Sequence, residues 1–440
     1  MSAVIALRRP APTSSPGTPW AGHPRLPHSP WAFVNALRGQ GHADLGTLPM
    51  PSLRDEAWRF VDLAPLTRLS LRPAEHAGLA SAADMAGFKL DEATTRLVFV
   101  DGFHAPELSG TAGNAGGVLV ANLSAALATQ AATVEAHLGR HQPSGSDIFA
   151  ACNTAFLRDV AVIRVAPDVT LAAPVHLLFI TTQAGVVSHP RCLLIAEAGS
   201  SLTLIEDHVS LQGGAYFSNP VSEIVLAEQA RVQHIRVQRD GSQAFHIANT
   251  SVTLGRASHY RSVAVDMGAQ LARHRLDVTL AEGADCALDG LAVVAGSQLA
   301  DTHSGIVHAQ PHGRSRQLHK CIAGGTARAV FNGKVMVSAG AQHTDAAQMS
   351  RNLLLSARAR IDTQPQLEIL ADDVKCAHGA TVGPLDSEEV FYLQSRGLSD
   401  SAARDLLTYA FGAEIIARIP VPSLRQQLQQ RMLAQTVSRP

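Results

Sequence analysis

Aromatic side chains are scarce, with only 3 Trp and 4 Tyr in 440 residues. So few flat rings leave no stacking platform for bases or sugars, which argues against a nucleic-acid or polysaccharide groove. Charge of one sign is lacking as well: 36 Lys and Arg stand against 37 Asp and Glu, so no net field draws the chain to a polyanion or an anionic membrane. No apolar run reaches the roughly 18 residues of a membrane helix. Cysteine is sparse and odd in number, five in all at 152, 192, 286, 321 and 376. That spacing forms no disulfide ladder and points to a reducing compartment.

The start, "MSAVIALRRPAPTSSPGTPW", has too short an apolar stretch for a secretory signal and contains no acid before Asp44. A plastid or other organelle transit peptide competes here with a disordered tail on a bacterial cytoplasmic protein, and the tail is the favoured reading. The chain then divides into a tail and first helix (1–45), a helical α/β region (46–158), a strand region (159–383) and a helical region (384–440). "LPHSPWAFVNALRGQG", "PSLRDEAWRFVDLAPL", "NLSAALATQAATVEAHLGRH" and "SDIFAACNTAFL" read as helices. In the second, Ser52 and Asp55 suggest a capping box; Gly139 is placed to end the third. "ELSGTAGNAGG" reads as a loop, its glycines lacking the spacing of a dinucleotide fingerprint.

From Asp159 on, short β-branched runs recur, such as "VAVIRV", "HLLFITT", "CLLIAEAG" and "SLTLIED". A motif with a small corner residue repeats in "LAEQARV", "LAEGADC", "VSAGAQH" and "LSARARI". Corners at Gly199, Ala230, Ala257, Ala284, Gly313 and Ala341 are 31, 27, 27, 29 and 28 residues apart. A step this regular means stacked units, and none has room for a crossover helix. Stacked β-solenoid rungs are therefore expected in preference to a β-sandwich. Terminal rungs need covering, and helices at both ends would serve as caps. After Pro384, Asp386 caps "SEEVFYLQSR" with Gly397 as its stop; two more helices follow, the last presenting Leu424, Leu428 and Met432 on one face.

The chemistry-bearing residues are few. In "VKCAHGATVGPLDSEEVFYLQSRG", Cys376 and His378 share a strand face while Ala377 points the opposite way. Thiolate and imidazole are good ligands for iron, zinc or a cluster, but two do not close a site, so the rest must come from elsewhere, such as another chain. The competing reading is a buried thiol beside a hydrogen-bonded histidine. His319 and Cys321 repeat the spacing around Lys320 without a supporting motif. His303, His308 and His312 follow no single face, and Cys152, Cys192 and Cys286 read as core hydrophobes. The Gly-Lys of "FNGKVMV" lacks the rest of a phosphate loop, so the chain is not read as an ATPase.

The block from Gly340 to Ile416 closely resembles the C-terminal signature of the SufB/SufD family, scaffold subunits of Suf iron-sulfur cluster assembly. "RDEAWRFVDLAPL" and "DIFAACNTAFLRD" resemble further family blocks. "CAHGAT" stands where the SufB branch carries an "EHEA" form, which places the resemblance on the SufD side; Ala377 occupies a position where Ser is frequent. The resemblance implies a mainly β fold, a right-handed parallel β-helix between helical regions. It implies pairing with SufB through the β-helix edge and docking of the SufC ATPase on the C-terminal helices, by analogy at Phe391, Tyr392, Leu406 and Tyr409. It further implies a part for His378, with Cys376 beside it, in iron or nascent-cluster handling at the SufB interface. No stable cofactor is expected on the isolated chain, only a transient iron-sulfur cluster in the complex, and no enzymatic step. A homodimer of the isolated chain, a purely structural solenoid and, less favoured, a β-helix polysaccharide-processing enzyme are the alternatives.

Overall fold

The computed structural model describes residues 20, 22–110 and 116–437; most of the basic tail and the glycine loop at 111–115 lie outside them. The core is a parallel β-solenoid. One sheet is built in spatial order from Ala161–Val165, Arg191–Ala196, Val221–Leu226, Phe245–Leu254, Leu271–Leu280, Leu299–His308, Arg328–Val337 and Arg360–Ile369. The second follows Val175–Thr181, Ser201–Ser210, Arg231–Arg239, His259–Asp266, Asp285–Val294, Arg314–Ala323, Thr344–Leu354 and Val374–Gly383. Every pairing within these two series is parallel. Thr95–Val100 joins the second sheet beside Val175–Thr181, and Val118–Asn122 closes the first in antiparallel fashion.

Alternation along each strand sends every second side chain inward. In register, Leu202, Val232, Tyr260, Cys286, Ser315, Ala346 and Cys376 form one inward column, and Leu204, His234, Ser262, Leu288, Gln317, Gln348 and His378 the next. Across the interior, Leu194, Ile224, Val252, Val278, Ile306 and Val335 meet them. Each such aliphatic contributes about 1.5–3 kcal/mol on burial.

The corners obey a sharper rule than the sequence repeat. Asp168, Gly199, Gln229, Ala257, Gly283, His312 and His343 all have φ between 51° and 68°. Each donates its N–H to a carbonyl of the next rung, respectively Ala198, Glu228, Arg256, Glu282, Pro311, Gln342 and Asp373, at 2.6–3.0 Å. The expected corner list mixed three positions of this turn. Gly199 and Ala257 are the left-handed residues, Ala230, Ala284 and Gly313 follow one, and Ala341 precedes His343 by two; the alanines beside the bend are fully buried, whereas the bend itself also takes Asp, Gln and His.

Helices cover the two outer faces, not the ends, which corrects the capping expectation. Helix Ala32–Thr47 and helix Ile148–Ala155 bring Leu45, Ile148, Phe149 and Cys152 against Phe217, Phe245, Ile247 and Leu271 on the first sheet. At the other terminus helices Ser387–Ser395, Asp400–Ile416 and Pro422–Val437 follow. Ile415, Ile416, Leu424, Leu428 and Met432 pack on Ile205, Val237, Val265, Leu291 and Ile322 of the second sheet. An apolar outward stripe on several rungs offers more area than the end of one rung, and the helices follow the area.

"PSLRDEAWRFVDLAPL" is also not one helix. Glu56–Trp58 is a single 3-10 turn and Ala64–Thr67 a short helix. Asp55 does accept from the Ser52 N–H at 2.7 Å, but Trp58 and Val61 are drawn into the Phe149 cluster from separate turns. The remaining helix signals hold: Asn122, Asp147 and Asp386 cap their helices through side-chain oxygens, and Gly139 and Gly397 adopt positive φ just beyond helix ends.

Candidate functional site

Val374–Gly383 is the last strand of its sheet and pairs only with Thr344–Leu354 among the described residues. Arg360–Ile369 is likewise last in the other sheet. The terminal rung therefore presents an unpaired edge of backbone donors and acceptors, a template for another strand. Its side chains are partly or wholly exposed along both strands.

Cys376 and His378 occupy neighbouring inward columns, over Ala346 and Gln348, so they do share a face. Cys376 is half-buried against the apolar core. Burial raises its thiol above the ordinary value, Asp345 adds to the shift, and the Ala346 N–H opposes it. His378 is exposed at the open end. Beneath it runs a polar ladder: Gln348 Nε2 donates to Gln317 Oε1 at 2.7 Å, and Gln317 Nε2 to Ser304 Oγ at 2.9 Å. Gln348 Oε1 is buried without a hydrogen-bond partner among the described residues, leaving an acceptor one rung below the His378 ring. Among the described residues no three His, Cys, Asp or Glu side chains converge as a metal cage. The pair can thus supply two ligands at an exposed edge, and a strand added there would bring others within reach.

His319 and Cys321 also face inward, but in a sealed rung. His319 stacks on Phe331 with centroids 4.5 Å apart; burial lowers its pKa to about 4, partly offset by Asp266. Burial pushes the Cys321 thiol far up. Neither is available to a ligand. Lys320, between them, points out to the helices, donating to the Phe411 carbonyl at 2.8 Å and pairing with Glu414 at 2.5 Å. His303 pairs with Asp301, His308 bonds Ser315 inside the solenoid, and His312 lies at a corner stacked on His343. Those three histidines make no common site. Cys152, Cys192 and Cys286 are core residues, at most 1% exposed.

On the helical segment, Phe391, Tyr392 and Leu406 are 70%, 57% and 46% exposed. Tyr392 and Leu406 line a cleft of about 620 Å³ with Leu393, Leu407 and Ala410, rimmed by Glu388 and Glu389. Tyr409 is different: half-buried, it packs against the cluster that joins the helices to the sheet.

A buried ionic network inside the solenoid escaped the sequence reading. Glu206 accepts from Ser222 Oγ at 2.8 Å and contacts His234 Nε2 at 3.1 Å, and His234 Nδ1 meets the Tyr260 hydroxyl at 2.8 Å. Arg236 donates to Asp266 at 2.8 Å and contacts His246, which pairs with Asp240. Burial pushes Glu206 up, but His208 and His234 outweigh it and hold the carboxylate far below its usual range. Burial lowers His246 to about 4 against the pull of Asp240. The available signal was strand parity: Glu206 and His208, then His234, Arg236 and Gln238, fall at inward positions of runs otherwise read as apolar.

The fold is an open-ended β-solenoid with helices along its faces and a thiol–imidazole pair on its terminal strand. Residues 179–411 match the family model for the SUF system FeS cluster assembly SufBD core domain, and residues 25–177 the SufBD protein N-terminal region. The chain belongs to the SufBD family of iron-sulfur cluster assembly proteins. It is 43% identical over 411 residues to an iron-sulfur cluster assembly SufBD family protein of Synechocystis sp., covering 90% of each chain. It is 32% identical to the chloroplastic protein ABCI7 of Arabidopsis thaliana, over 90% of this chain and 84% of that one. With the iron-sulfur cluster assembly protein SufD of Escherichia coli it shares 31% identity over 87% and 88% of the two chains.

Proposed function

We propose that this chain is a SufD-type scaffold subunit working in the cytoplasm, and that its terminal rung pairs with a SufB chain through the Val374–Gly383 edge. His378, with Cys376 beside it, contributes ligands to iron or a nascent cluster whose remaining ligands come from the partner. The cluster is cargo, and no bond-making step is assigned to the chain. The observation that carries the reading is the position of this pair: inward-facing, on the last rung, whose outer edge is unpaired among the described residues, above a buried amide oxygen that has no hydrogen-bond partner among them.

The exposed Phe391, Tyr392 and Leu406 face is the proposed seat of a SufC ATPase. Nucleotide-driven movement there would reach the solenoid through Lys320, which ties helix Asp400–Ile416 to the strand Arg314–Ala323. The test is His378→Ala in the chain co-expressed with SufB and SufC. The complex should assemble in full while its cluster yield collapses. Full assembly with normal yield would assign the histidine a structural part only, and the chain would be an organiser of partners.

A further inference from the structure

A groove of about 830 Å³ runs along the outer face of the second sheet beside helix Asp400–Ile416 and reaches the terminal rung at Ala377. Its floor follows from register. The outward column runs Gln233, Arg261, Ala287, Arg316, Ala347, Ala377. Ala287 leaves a gap between Arg261 and Arg316, two rungs or about 10 Å apart, and Ala347 and Ala377 keep the trench floor low from Arg316 to the terminal rung. Val263, Leu318 and Met349 of the adjacent column give the trench an apolar side.

The rim is cationic. Arg261, Arg314, Arg316, Arg351 and Arg418 line the groove against three carboxylates, Asp285, Asp289 and Glu414. Two of those acids are committed: Arg418 bonds Asp289, and Glu414 is shared by Lys320, Arg418 and, at 3.9 Å, Arg351; Asp285 stands in register beside Arg314, so five arginines face one uncommitted carboxylate in the lining. Arg316 is held by Asp345, which Arg314 approaches only to 3.9 Å. Arg261, Arg314 and Arg351 consequently donate no side-chain hydrogen bond among the described residues. Their forks are free to take oxyanions two bonds at a time. The volume falls within the range of small-molecule sites.

We infer that this groove binds a small organic polyanion, its phosphate or carboxylate groups on Arg261, Arg314 and Arg351 and its flat or apolar body in the alanine trench. The basic N-terminal tail is a poor occupant, since its arginines would meet like charge. The experiment is calorimetric titration of the full-length chain at low salt with pyrophosphate, citrate and ADP. Saturable one-to-one binding of at least one is expected. Phosphate probes outdoing citrate would identify an organic phosphate, and the reverse a polycarboxylate. ADP should bind more tightly than pyrophosphate if the trench holds the body; equal affinity would overturn that half of the inference. The double variant Arg261→Ala/Arg351→Ala should keep its thermal midpoint, since neither side chain is hydrogen-bonded, and weaken binding at least tenfold. The Lys/Lys variant should recover part of the loss. No saturable binding of any probe at millimolar concentration, or unchanged affinity in the double alanine variant, overturns the site.

Discussion

Beside its apolar cluster, the contact between the N-terminal segment and the solenoid holds one buried ion pair, and Glu223→Ala should expose its contribution. Arg191 and Glu223 point outward from adjacent strands of the first sheet and are 2% and 0% exposed. Glu223 Oε1 accepts from Arg191 Nη2 at 2.7 Å and Nε at 3.1 Å. Its carboxylate also accepts from the backbone N–H of Gly139, His141 and Gln142 at 3.0, 2.9 and 3.2 Å. The other Arg191 nitrogen, Nη1, donates to Asn153 Oδ1 and Thr154 Oγ1 of helix Ile148–Ala155, both at 3.0 Å. Removing the carboxylate leaves a guanidinium buried without its counter-ion and three N–H groups without an acceptor. Breaking a buried pair from one side costs about 3–5 kcal/mol. Chemical denaturation should give a loss of about 4 kcal/mol, and amide exchange should accelerate first at 139–142 and 148–155. Replacing both partners by apolar residues, Arg191→Met/Glu223→Leu, should recover most of it, because no charge is then left uncompensated. A Glu223→Ala protein within about 1 kcal/mol of the parent, or exchange that rises elsewhere first, would refute the reasoning.

Three further outcomes follow from the same structure. His246 and His319 titrate near pH 4 when folded, against 6.5 when free. As pH falls below 6.5 the unfolded chain takes up protons that the folded chain refuses, so stability is full above pH 6.5 and falls between 6.5 and 4 by about 1.4 kcal/mol per histidine per pH unit; denaturation midpoints that stay level from pH 7.5 to 4.5 would contradict this. In Gly290→Ala the new Cβ would lie 2.1 Å from His319 Nδ1 and force the ring off Phe331, an overpacking cost of about 1–3 kcal/mol to be read from the denaturation midpoint, with no change as the contrary result. Phe391→Ser/Tyr392→Ser should leave the melting temperature unmoved, both residues being exposed, yet abolish co-purification of the SufC ATPase; retained co-purification would remove those residues from the docking face.

Much of this molecule is written in its local pattern. The β-branched runs and the regular corner step specify a solenoid, since a period near 29 without a helical segment has few other solutions. Asp386, Gly397 and the Leu424, Leu428, Met432 stripe mark real helices because caps and i, i+4 faces are local properties. Where those helices dock was not legible. That depends on the outward stripe Ile205, Val237, Val265, Leu291, whose members are separated by whole rungs and meet only after folding. The Glu206 network was hidden for a related reason: a charge in an apolar run reads as a surface residue until a neighbouring rung supplies His234 and Ser222. Of the candidate pairs, Cys376/His378 and His319/Cys321 have the same spacing. Only their rung tells them apart, one at the open edge and the other sealed beneath it.

The central claim, that the terminal rung carries half of a site completed by another chain, is tested most directly by anaerobic reconstitution with iron and sulfide, followed by visible absorption. The purified chain alone and the chain co-expressed with SufB and SufC would be compared. A cluster chromophore that forms in the complex and is absent from the isolated chain is the predicted result. A stable cluster on the isolated, monomeric chain would mean that it holds a full ligand set of its own, and the shared-edge account would be wrong.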